Sequence, residues 1–108
     1  SKKIINDFNE RLIHIHCKDI RKEVLENSLR NDLSFRGAFL EGAFTVPGDG
    51  CIDYKPIFDI LKEKKYSGWL VVEAEQDPVK ANPFEYAKIG YKYLTETLQK
   101  SDIEIFKN

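Results

Sequence analysis

A short apolar run that ends in carboxylates limits the folds open to this chain. Gly68-Trp69-Leu70-Val71-Val72-Glu73-Ala74-Glu75-Gln76-Asp77 reads as one strand. Side chains alternate across a strand, so Trp69, Val71, Glu73 and Glu75 share one face, and Leu70, Val72 and Ala74 share the other. Apolar residues on both faces predict a strand of a parallel sheet covered on both sides. Acids at its C-terminal end stand where parallel sheets and barrels keep their chemistry. Arg11-Leu12-Ile13-His14-Ile15-His16-Cys17-Lys18-Asp19 repeats the grammar, with His14, His16 and Lys18 on one face.

The segments between these strands predict helices. Ile4, Ile5 and Phe8 lie on one side of a helix over residues 1–10, read as the last turns of a helix that begins upstream. Asp19 is expected to cap a short helix over 20–30, striped by Val24, Leu25 and Leu29. Ser34 to Leu40 is another short helix, with Gly42 at its end. Val46-Pro47-Gly48-Asp49-Gly50 is a tight turn. Asp53 is the expected N-cap of a helix with Pro56 in its first turn and Ile57, Phe58 and Leu61 on its core side. Asn82-Pro83-Phe84-Glu85 starts a last helix, striped by Phe84, Ala87, Tyr91, Leu94 and Leu98. Residues 103–108 read as a surface extension. The order is one βαβα unit, with a right-handed crossover expected.

With 108 residues there is room for one small domain. A two-stranded parallel sheet covered on both faces does not stand alone, so the chain reads as a fragment of a larger α/β protein. The 17 basic and 18 acidic residues leave a net charge of −1, which gives no electrostatic case for nucleic acid or an anionic membrane. No apolar stretch approaches the roughly 20 residues of a membrane span. No signal peptide is read at the start, where Asn6-Asp7 interrupts the apolar residues. Cys17 and Cys51 sit in unlike contexts and read as reduced thiols of a cytoplasmic protein.

Several polar groups have two readings each. His16 and Glu73, near the ends of neighbouring strands, form a mixed N/O ligand pair for a divalent metal ion. Alternatively, His16 is satisfied by a backbone hydrogen bond and Glu73 faces solvent. His14 either orients a ligand or plugs a polar interior. Lys18 either contacts a substrate hydroxyl or enolate oxygen, or is a solvated loop charge. Glu75 is an acid–base group or a hydrogen bonder at the rim. The excursion over residues 18–50 is a long loop with short helices, of the kind that lies over a site.

His14-Ile15-His16, Val46-Pro47-Gly48-Asp49-Gly50-Cys51-Ile52-Asp53 and Trp69-Leu70-Val71-Val72-Glu73 resemble the sugar-phosphate isomerase/epimerase-like TIM barrels, the xylose-isomerase-like group. Glu73-Ala74-Glu75-Gln76-Asp77-Pro78 and Lys80-Ala81-Asn82-Pro83, with Phe44-Thr45 before the Pro-Gly turn, are similar to the branch that dehydrates a ketocyclitol in myo-inositol catabolism. The resemblance spans residues 10–98. It implies the C-terminal β7α7β8α8 portion of a (β/α)8 barrel. It implies a divalent ion, Mn2+ or Co2+, held by four residues, of which His16 and Glu73 are two and the others lie upstream. It implies loss of water from scyllo-inosose (2-keto-myo-inositol) to give a cyclohexane dione, with Lys18 and Glu75 as substrate contacts. The expected partners are that cyclitol and either the rest of the barrel or a second copy. One alternative is an isomerase or epimerase of keto-sugars from the same group. The other is a catalytically incomplete fragment that self-associates.

Overall fold

The computed structural model of the chain describes residues 2–73 and 76–105. Its elements in order are α1 (Lys2–Phe8), a 3-10 turn (Asn9–Arg11), β1 (His14–Cys17), β2 (Asp19–Ile20), α2 (Lys22–Arg30), α3 (Phe35–Leu40), β3 (Phe44–Thr45), α4 (Lys55–Glu63), β4 (Trp69–Val72) and α5 (Pro83–Lys100). β1 and β4 pair in parallel, with His14 opposite Trp69 and His16 opposite Val71. Just past the paired residues, Glu73 N donates to Cys17 O at 3.0 Å.

The alternation read from the sequence sorts this sheet correctly. Cys17 is fully buried on the side facing the helices, with Ile15, Leu70 and Val72 partly buried beside it. Phe58 and Leu61 of α4, Leu94 and Leu98 of α5, and Ile5 of α1 complete that core. His14, His16 and Trp69 point the other way and are exposed.

Helix ends follow the local chemistry in some places and depart from it in others. Asn82 Oδ1 accepts from the backbone N–H of Phe84 (3.0 Å) and Glu85 (3.2 Å), which caps α5 as read. Ser34 Oγ does the same for Gly37 N at 3.1 Å. Gly42 closes α3 in the left-handed region, φ 83°. Asp19 is not a cap: α2 begins after Arg21, whose side chain makes no capping bond. Asp19 lies in β2 instead, 1% exposed, and its Oδ1 accepts from the N–H of Ile20 (2.7 Å) and Ile52 (3.0 Å). Two backbone donors far apart in sequence outweigh one helix cap. The N-cap of α4 is Tyr54 rather than Asp53, whose Oδ1 still accepts from Lys55 N at 3.0 Å.

Of the stripe expected on α5, only the C-terminal two residues are buried, and Ala87 is exposed. Leu94 and Leu98 are buried, but Phe84 is 66% exposed and Tyr91 also lies outside. The buried line is Gly90, Leu94, Thr97 and Leu98. At Gly90 a Cβ would sit 2.7 Å from Val72 Cγ1 and 3.3 Å from Val46 Cβ. The helix therefore meets the sheet through a residue with no side chain, which a search for apolar spacing passes over. Residues 103–105 are not a free extension either: Ile103 and Ile105 pack on the core.

The segment over residues 18–50 leaves and returns at one place. β2 and β3 pair antiparallel, Asp19 opposite Thr45 and Ile20 opposite Phe44, and form a neck directly after β1. Beyond the neck, α2 and α3 pack on each other.

Candidate functional site

The side chains of His16 and Glu73 converge. His16 Nδ1 lies 3.1 Å from Glu73 Oε2, across the C-terminal ends of two adjacent parallel strands. The register produces this. His16 faces Val71, so Glu73, two residues on, projects from the same face one pleat further out. An ionised carboxylate can only accept, so Nδ1 carries the proton in this bond, and that proton would have to leave before Nδ1 could bind a cation. The pair is open to solvent, 58% exposed for His16 and 31% for Glu73.

That spacing fits a shared cation. Two donors bound side by side at about 2.1 Å from one ion, at right angles, stand about 3 Å apart. One imidazole nitrogen and one carboxylate oxygen suit Mn2+, Co2+, Fe2+ or Zn2+. Among the described residues no group of three or more His, Cys, Asp or Glu side chains gathers anywhere. A complete coordination sphere at this pair needs donors beyond them.

Two of the other candidates lie on β1 or directly after it. His14 projects from the same face, exposed, and makes no hydrogen bond to His16 or Glu73. Lys18 is exposed just beyond β1, and its backbone carbonyl accepts from Tyr54 Oη at 2.5 Å. Glu75 lies outside the described residues. Behind the sheet, burial pushes the Cys17 thiol up to about 12. Burial also raises Tyr54, with the neighbouring Cys17 and Asp19 acting in the same direction. Both cysteines are free, Cys17 buried and Cys51 exposed.

A polar network beside the pair escaped the sequence reading. Arg21 Nη2 donates to Asp49 Oδ2 at 2.6 Å, and Arg21 Nη1 donates to Gly42 O at 2.8 Å. Thr45 Oγ1 donates to the same Asp49 oxygen at 2.7 Å and accepts from Gln76 Nε2 at 3.2 Å. Lys80 Nζ donates to Leu40 O at 2.6 Å. These bonds tie residues 18–50 to the loop after β4. The Pro-Gly and Asp-Gly turn was visible in the sequence. That its Asp49 would face Arg21 and Thr45 needed the β2–β3 pairing. No helix among the described residues is long and apolar enough to cross a membrane.

The model of the xylose isomerase-like TIM barrel family matches residues 2–99. The chain is 56% identical over 93 residues to inosose dehydratase of Clostridium beijerinckii, covering 86% of this chain and 31% of that protein. It is 55% identical to the enzyme of the same name from Glaesserella parasuis, with the same coverage. To that of Lacticaseibacillus casei it is 50% identical over 95 residues, 88% of this chain and 32% of the relative. The chain thus spans about a third of the length of the curated relatives it matches.

Proposed function

The chain belongs to the xylose isomerase-like TIM barrel family, and from that premise we propose that it is the C-terminal β7α7β8α8 part of a metal-dependent hydro-lyase acting on scyllo-inosose. The observation that carries this reading is the His16–Glu73 pair, 3.1 Å apart at the C-terminal ends of neighbouring parallel strands. In barrels of this kind that end carries the chemistry. The identity of about half or more to proteins named inosose dehydratase supports the substrate class.

His16 and Glu73 would hold one divalent ion, Mn2+ or Co2+, with the remaining donors supplied by strands outside these residues. Bound there, the ion supplies Lewis acidity at the ketone oxygen and makes the neighbouring C–H acidic. The residues of this chain do the rest of what is assigned to it. The Nδ1–Glu73 hydrogen bond holds the two side chains together, and Nδ1 would release its proton when the two take up an ion. Lys18 donates to a substrate hydroxyl beside β1. Glu75 is assigned an acid–base or rim contact from its place in the sequence. Removal of the α-proton and protonation of the departing β-hydroxyl complete a dehydration to the dione.

Incubating the full-length protein with 2-keto-myo-inositol and Mn2+, and following loss of one water by mass spectrometry, tests the reading. Turnover that stops in chelator and returns with Mn2+ is the expected result. Turnover of ketohexoses without loss of water would assign an isomerase or epimerase instead.

A further inference from the structure

The feature that the proposed function leaves unused is the hydrogen-bonded neck beside the ligand pair. Glu73 is held at its own backbone by the bond from its N–H to Cys17 O at 3.0 Å. Among the described residues after Glu73, Gln76 is tied to the neck: its Nε2 donates to Thr45 Oγ1 at 3.2 Å. Thr45 is fully buried. It sits opposite Asp19, three residues beyond His16 in the strand that continues β1. The segment after β1 and the segment after β4 are therefore tied twice, by the His16–Glu73 hydrogen bond and by Thr45, which pairs with Asp19 and accepts from Gln76.

The direction of each bond is fixed. Asp49 is a carboxylate paired with Arg21 at 2.6 Å, so it can only accept. The Thr45 hydroxyl must therefore send its hydrogen to Asp49, at 2.7 Å. Its oxygen is left to accept from the amide NH2 of Gln76, which sets the orientation of that amide. One hydroxyl thus converts the Arg21–Asp49 ion pair into a fixed anchor for the loop three residues after Glu73. Gln76 is three residues from Glu73 in sequence, so the two lie no more than about 11 Å apart along the chain.

We infer that Thr45 is a positioning residue for the Glu73 carboxylate, and that the neck of the 18–50 segment acts as a clamp on the metal-binding end of β4. The inference rests on the reading of His16 and Glu73 as ligands. Thr45→Val removes the hydroxyl at nearly constant volume, and Thr45→Ser keeps it. Two measurements on the full-length protein decide the matter. The first is Mn2+ affinity by isothermal titration. Thr45→Val is expected to weaken it roughly 10- to 100-fold, the usual effect of losing a group that orients a ligand, while Thr45→Ser stays close to the wild type. The second is amide hydrogen exchange of peptides spanning residues 70–81, recorded without ion. Exchange there is expected to quicken in Thr45→Val and not in Thr45→Ser, with α4 unchanged.

Equal Mn2+ affinity in Thr45→Val and wild type overturns the clamp, as does Thr45→Ser failing as badly as Thr45→Val. A wild type that binds no Mn2+ overturns the proposed function, and the ion-free exchange comparison then still decides whether Thr45 holds the loop. Unchanged exchange in Thr45→Val overturns that too.

Discussion

At the scale of single residues, burial and close contact set sharp expectations. Cys17 is fully buried and its thiol is raised to about 12 from 9.0, whereas Cys51 is exposed. Alkylation of the native protein followed by peptide mapping should modify Cys51 and spare Cys17. The sign of the linked pH effect follows from the raised value. The folded state keeps Cys17 protonated, so stability is unaffected below about 9.0 and falls as pH rises from there toward about 12. Tyr54, raised by burial, pushes in the same direction. A denaturation midpoint that rises across this alkaline range would contradict the assignment. Gly50 gives a second test. A Cβ there would lie 2.3 Å from Asp19 Oδ1 and 2.7 Å from Ile20 O. The obstacle is a buried carboxylate bonded to two backbone N–H groups and a strand carbonyl, neither of which can swing aside. Gly50→Ala is expected to cost about 2 kcal/mol or more by chemical denaturation.

At the scale of elements, the sequence was legible where a pattern is local. The two strands, their inward and outward faces, the Asn82 cap and the core side of α4 follow from spacing and cap chemistry alone. Removing the α5 cap by Asn82→Ala should cost about 1 kcal/mol, read from thermal or urea unfolding. What stayed hidden depends on contacts made far along the chain. Asp19 looks like a helix cap until β2 pairs with β3 and turns its carboxylate toward Ile52. Gly90 looks like a weak point in α5 until Val72 and Val46 are seen against it. Replacing it with alanine should destabilise by about 1–3 kcal/mol, although alanine is the better helix former. The convergence of His16 and Glu73 was legible because strand parity and parallel pairing fix it. Thr45 and Gln76 carry no such regularity, and only the folded neck brings them together.

At the scale of the whole molecule, the described fold is an open wedge. Its radius of gyration is 15.0 Å, against about 13 Å for a compact chain of this length. β1 and β4 pair only with each other among the described residues, so each presents an unpaired edge. The face carrying His14, His16 and the 58% exposed Trp69 is uncovered, as is Phe84 on α5. In a closed barrel that face is the interior. The 108-residue chain on its own is therefore expected to self-associate, and light scattering after size exclusion should give a mass above that of one chain. A clean monomer would show that the wedge tolerates its open edges. On the proposed reading the ion would lie between β1 and β4, two strands that this chain contains. Titrating Mn2+ into the full-length protein, with His16→Ala and Glu73→Gln alongside, tests that most directly. One tight site in the wild type, weakened at least about 100-fold by each substitution, is the predicted result, since each removes one donor of few. Equal Mn2+ affinity in all three proteins would show that these two side chains meet for some reason other than holding an ion.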